Sequence, residues 1–185
     1  MLGGTLAVAL IAVAAFLLTD EDNLQCVEGE LQDNAVDANG RFIPRIETFS
    51  TVEEAEAFVC KHVPHPRDAG DLSLTGVEAV RDTNLGSLIE GEGRAALTFL
   101  YGPAGQEDAP PATLGVAVSF PPLGVPPLET PAEDLTIAGH DALLVRDDRD
   151  PLVYWTTADY DFAASARLDD GFSLEDMLGV LESVR

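Results

Sequence analysis

Residues 2–18, LGGTLAVALIAVAAFLL, carry no charge, and Thr19-Asp20-Glu21-Asp22 follow at once. At about 1.5 Å per helical residue such a run spans roughly 25 Å, the lower limit for crossing the hydrocarbon layer of a bilayer. It is also long for the core of a cleaved signal, and it lacks the basic stretch that normally precedes one. Residues 1–19 are therefore expected to be a retained single transmembrane helix, with a signal segment as the alternative. No lysine or arginine flanks the helix, so orientation rests on the mass that follows: about 160 residues on the C-terminal side predict an N-in, C-out arrangement at the cell membrane. Cys26, preceded by Asn23-Leu24-Gln25, lacks the small neighbour a lipid-attachment site needs. With so little chain on the inner side, no inward relay of a signal is expected.

The remainder suits one globular domain. Its charge excludes some partners: 33 carboxylates oppose 10 bases, giving −23. Nucleic acid and anionic lipid would meet like charge, so neither is expected to bind the soluble part. The acids are dispersed in twos and threes, as in Glu53-Glu54 and Asp147-Asp148, which is the pattern of a solvated acidic surface. Hydrophobic residues make up 46% of the chain, enough for a folded core.

Two cysteines, Cys26 and Cys60, lie in the exported part, where an oxidising compartment permits a disulfide; a free pair is the alternative. A closed loop of about 34 residues would contribute roughly 3–4 kcal/mol on a chain-entropy account.

Residues 20–46 read as an acidic tether and edge segment, the part around Arg41 to Thr48 being a short extended edge interrupted by Pro44. Ser50 with Glu53 makes a capping box, and Val52, Ala55, Phe58 and Val59 recur at helical spacing, predicting a helix over residues 51–62. Strand patterns follow at residues 72–80, 95–101 and 113–120. Residues 121–133 contain five prolines and form an exposed crossing. Residues 135–145 read as a hairpin, and a second pairs 152–156 with 161–167 across Thr157-Ala158-Asp159-Tyr160. Ser173 caps a last helix bearing Leu174, Met177, Leu178, Leu181 and Val184 on one face. The expected fold is α+β: a curved antiparallel sheet of about six or seven strands with helices on one face, over residues 47–185. Trp155, Phe99, Phe120, Phe162 and Met177 are the expected core.

The order of Val52-Glu-Glu-Ala-Glu-Ala-Phe-Val59, a proline break, Val77-Glu-Ala-Val80, Leu97-Thr-Phe-Leu-Tyr101, Ile137-Ala-Gly-His-Asp-Ala-Leu-Leu144, Tyr154-Trp155 and Leu181-Glu-Ser-Val184 resembles the DUF4367 family. These are uncharacterised bacterial extracytoplasmic domains that often follow one membrane helix. The resemblance covers about residues 47–185 and implies an extracytoplasmic domain; it brings no catalytic residues.

Candidate chemistry is sparse. Cys60, His62 and His65 are all zinc-ligating types, but i and i+2 diverge on a helix and Pro64 intervenes, so no metal site is expected. His140 falls at a hairpin tip and reads as a solvated turn residue. Asp33, Asp37, Asn39 and Gly40 form part of a calcium-loop pattern with Ala35 where its first carboxylate should be; Asp82, Asn84, Gly86, Glu90 and Glu92 fail in a similar way. Asp147-Asp148-Arg149-Asp150 reads as a charged turn. There is no Gly-x-Ser-x-Gly elbow, no Ser-x-x-Lys and no glycine-rich phosphate loop, so no catalysis and no cofactor is expected. The predicted function is a membrane-anchored extracytoplasmic binding domain for an envelope protein or a lipid-like ligand. The alternatives are an envelope-directed hydrolase using paired carboxylates and a structural component of a membrane complex.

A reporter enzyme fused after Arg185 tests the compartment. One that works only outside the cytoplasm should be active there and silent when it requires the cytoplasm; the opposite pattern refutes the orientation.

Overall fold

The computed structural model describes residues 45–81, 94–103, 113–125, 127–128, 130–169 and 171–185. The apolar segment, the acidic tether, Cys26 and both calcium-like patterns fall outside the described residues. Among the described residues, no helix is long and apolar enough to cross a membrane.

The chain runs β1 (Arg45–Phe49), α1 (Val52–Val59), β2 (Leu72–Arg81), β3 (Ala95–Pro103), β4 (Leu114–Phe120), β5 (Glu133–Ile137), β6 (His140–Val145), β7 (Leu152–Thr156), β8 (Asp161–Ala166) and α2 (Leu174–Leu181). All eight strands form one open antiparallel sheet in the order β1-β2-β3-β4-β8-β7-β6-β5. The architecture is mainly β, with eight strands rather than six or seven and only two eight-residue helices. The expected α+β balance gave the edges too little weight. β1 and β5 are short and carry charged, exposed residues beside the core-packing Phe49, Leu135 and Ile137, yet each pairs over all five residues, because ladder hydrogen bonds come from the backbone whatever the side chain.

Strand alternation builds the core on one face. Val77, Phe99, Val116, Ala164, Val153 and Leu144 stand opposite one another in a row across six strands, all buried; a second row runs through Ala79, Leu97, Val118, Phe162, Trp155 and Ala142. The Trp155 and Phe162 rings stack at 4.5 Å and 4°. All five expected core residues are buried there. β2 departs from simple alternation. Leu74 faces Tyr101 while Gly76 faces Leu100, so Thr75 is an extra residue, its hydroxyl donating to the Leu100 carbonyl at 3.0 Å. This bulge shifts the alternation by one, so that Leu74 before it and Val77 and Ala79 after it share the core face.

Both helices pack into that same core, through Ala55, Phe58 and Val59 of α1 and Met177, Val180 and Leu181 of α2. α1 starts one residue later than the capping-box reading: Thr51, not Ser50, is the N-cap, its hydroxyl accepting from the Glu54 N–H at 3.3 Å. It also stops three residues short of His62, because Cys60 turns left-handed at φ 54° and closes the last turn. The buried Arg81 guanidinium donates to the Phe58 carbonyl at 3.1 Å and lies 4.2 Å from the Phe58 ring. A cation thus sits at the negative end of α1. α2 begins at Ser173 as expected, with Asp176 returning a bond to the Ser173 N–H at 2.8 Å. That hydroxyl and backbone contact hold the Asp176 carboxyl below its usual range. The β5–β6 turn uses Ala138 and Gly139 at φ 48° and 82°, the backbone that matches strand twist.

Trp155→Ala should cost about 3–5 kcal/mol, since the cavity would sit in the second core row, whereas Ser173→Ala should cost about 1 kcal/mol by losing one cap. Urea unfolding of the two variants against the parent measures both.

Candidate functional site

A concavity with several polar side chains lies where α1 meets the chain that follows it. Val52, Glu53 and Glu56 supply one wall, residues 62–65 and Arg67 the floor, Tyr160 and Arg185 the rim, around about 560 Å³. Local hydrogen bonding explains the shape. Once Cys60 ends the helix, the chain doubles back, and the buried Glu56 carboxylate accepts the Val63 N–H at 2.8 Å on Oε1 and meets His62 Nδ1 at 2.7 Å on Oε2. Both carboxylate oxygens are thereby engaged, which allows a charge to be 6% exposed. Tyr160, from the β7–β8 turn, donates its hydroxyl to the His62 carbonyl at 2.9 Å. Its ring and that of Phe120 flank the Lys61 ammonium at 4.5 and 4.8 Å. Burial, then the nearby Asp159 and Glu56 carboxylates, push the Tyr160 phenol above its ordinary pKa.

The floor is stitched to the end of the chain. His65 N–H donates to the Arg185 carbonyl and Arg185 N–H to the His65 carbonyl, both at 3.3 Å, and Pro66 bridges Val184. Ser183 Oγ donates to the Asp68 carbonyl at 2.9 Å. Beneath, the buried His65 ring stacks on Phe99 at 5.0 Å, with Nδ1 3.0 Å from the Val63 carbonyl. Tyr101 donates to the Pro66 carbonyl at 3.2 Å.

The structure brings His62 and His65 to one cleft despite the intervening Pro64, because the helix ends before either. Cys60 does not join them as a thiolate: it is disulfide-bonded, and its expected partner Cys26 lies outside the described residues. Among the described residues no three His, Cys, Asp or Glu side chains are placed to hold a metal. His140 is exposed at the start of β6. Asp147 caps its own turn, accepting from the N–H groups of Arg149 at 2.9 Å and Asp150 at 3.1 Å, and those two bonds lower its pKa. Glu56 was missed, read as one more surface acid. Its position at the i+4 step from Val52 and three before Val59 places it on the buried stripe, a signal the spacing did contain.

A second surface is the sheet face away from the helices. The alternate positions of β3, β4, β8 and β7 that point there are small in the middle, with Ala96, Gly115, Ala117 and Ala163, and larger at Leu100, Leu152 and Tyr154. The result is a shallow trough of about 590 Å³, apart from the cleft, with Asp150 and Arg167 at one end. These residues are half-buried and no described element covers them. Glu78 on one side and Asp134 and Asp141 on the other border this face, all exposed.

Comparison with known protein families, curated proteins and solved structures finds no match to this chain.

Burial pushes the Tyr101 phenol up to about 12, the nearby Arg67 guanidinium opposing it. A group with a folded pKa above its unfolded value of about 10 holds its proton longer when folded. Its contribution to stability is full below about pH 10 and is lost as pH rises toward about 12. Stability measured by urea titration should fall across that window, and the fall should shrink in Tyr101→Phe, which also loses about 1 kcal/mol at neutral pH through the Pro66 carbonyl.

Proposed function

We propose that this chain is a non-catalytic extracytoplasmic binding domain, held at the cell membrane by its N-terminal apolar segment, which docks a protein partner on the uncovered face of its sheet. The reading rests on that face. A sheet of eight strands has two broad surfaces, and its helices and core occupy one. The other presents small residues (Ala96, Gly115, Ala117, Ala163) with Leu100, Leu152 and Tyr154 at half exposure, interspersed with the hydroxyls of Thr98, Ser119 and Ser165, and with no converging titratable groups over its centre. A broad, largely uncharged surface of this kind, left without a covering element among the described residues, supports an interaction site.

Charge complementarity selects the occupant. An apolar centre bordered by Glu78, Asp134 and Asp141, on a chain of net charge −23, favours a protein whose own apolar patch is ringed by lysine or arginine. A lipid-like ligand fits less well, because acyl chains need an enclosed apolar volume and the trough is open. Anionic headgroups would meet repulsion. A hydrolase built on paired carboxylates finds little support in the polar cleft, where both oxygens of Glu56 already accept hydrogen bonds. The resemblance of residues 47–185 to the DUF4367 family agrees with an extracytoplasmic domain following one membrane helix, and the reading includes that membership and a curved sheet.

Photo-crosslinking side chains placed at Leu100 and Tyr154 in cells should join this chain to one protein with a basic-rimmed apolar patch. Adducts should weaken as salt rises and disappear with Ala117→Arg, while a crosslinker at Glu54 on the exposed side of α1 stays silent. Adducts from Glu54 alone, or face adducts indifferent to Ala117→Arg, would overturn the assignment.

A further inference from the structure

The polar cleft holds two imidazoles whose neutral tautomer is set by their neighbours. A carbonyl oxygen can only accept, so the 3.0 Å contact of His65 Nδ1 with the Val63 carbonyl makes Nδ1 the protonated nitrogen. In the neutral ring Nε2 is then a bare acceptor. His65 is 8% exposed and lines the cleft, and its Nε2 has no hydrogen-bond partner among the described residues. A buried acceptor in that condition calls for a donor from outside the chain. His62 is locked in the same sense, with Nδ1 on the Glu56 carboxylate, so Nε2 is again the nitrogen left for a visitor.

Around these rings stand the exposed Arg67 and Arg185, whose guanidinium groups make no ion pair with any carboxylate among the described residues. On a chain where acids outnumber bases 33 to 10, two guanidiniums at one cleft with no ion pair among the described residues form a local exception to a repulsive surface. Of the two side-chain carboxylates there, Glu56 is turned inward and consumed by its own bonds, and Glu53 is exposed; the backbone carboxylate of Arg185 stands at the rim.

We propose that this cleft binds a small oxyanion that also carries a hydrogen-bond donor, its negative oxygens on Arg67 and Arg185 and its O–H on His65 Nε2. A hydrogen phosphate group and an α-hydroxycarboxylate are the two simplest sources of that chemistry. Fully deprotonated oxyanions offer only acceptors, so they satisfy the arginines and leave His65 unpaired. The same logic excludes a divalent cation, which would be repelled by the guanidiniums. This site is independent of the sheet face and would stand if docking there failed.

The test uses the full chain in detergent, with imidazole and amide nitrogen resonances followed by NMR during separate titrations at neutral pH and constant ionic strength. The probes are inorganic phosphate, lactate, sulfate and acetate. Phosphate or lactate should move the His65 and His62 ring signals, and whichever binds should do so about tenfold more tightly than its donor-free counterpart, sulfate or acetate, the worth of one buried hydrogen bond. A phosphate response without lactate assigns a phosphate ligand; the reverse assigns a hydroxy acid. Arg67→Gln, an exposed change that leaves the fold intact, should weaken binding about tenfold. The proposal fails if no probe moves these signals, if sulfate and acetate bind as tightly as their partners, or if Arg67→Gln changes nothing.

Discussion

The pairing of β4 with β8 makes this molecule one body. Strands β1 to β4 form a meander in chain order, and β5 to β8 form another that is wound backwards, so that the last strand meets the first meander. Six residue pairs, from Leu114 with Ala166 to Ser119 with Asp161, join the two halves. Both core rows cross this seam, through Val116 with Ala164 and Val118 with Phe162. Without it, each half would be a four-stranded sheet with a single short helix and too little apolar area covered to repay its ordering entropy. The proline-rich stretch after β4 has to carry the chain across to the far edge for this closure, which is why it is long.

The chain's acidity has a structural counterpart in how few charges are buried among the described residues. Glu56 and Arg81 are both buried, and each is spent on fixing the end of α1: Glu56 by accepting from the returning chain, Arg81 by donating to the Phe58 carbonyl. They act on a helix of eight residues, too short to hold itself together in water. The polar cleft is a by-product of the same bonds. A helix that stops at Cys60 leaves residues 61–67 to be tied down by Glu56, Tyr160 and the last residues of the chain, and the space between these ties is the concavity.

Much of the fold was legible in local pattern. The strand segments, both hairpins and the α2 cap emerge from alternation and capping chemistry, since those rules act over two to four residues and need no partner from elsewhere. Less legible were matters settled by distant contacts. Thr75 reads as one residue of a continuous strand; only its pairing with β3 exposes the bulge that puts Leu74 and Val77 on one face. Ser50 and Thr51 are equally good caps by type, and the entry of the chain from β1 selects the second. His62 was read as the last residue of a helix that in the structure ends at Val59. Tyr160 looked like an ordinary turn residue, because its bond to His62 spans 98 positions.

The sequence by itself determined which segments are strands and helices, which side chains are apolar enough to be core, and that the surface carries a large excess of negative charge. Those properties belong to single residues and their near neighbours. Tertiary structure decided the order of the strands, the face on which the helices settled, and therefore the face left open. It also decided that two histidines, two arginines and a buried glutamate border one cleft. Strand order is a choice among pairings of equal local merit, resolved only by the burial of the whole; proximity of residues more than a hundred positions apart, such as His62 and Arg185, exists only once that choice has been made.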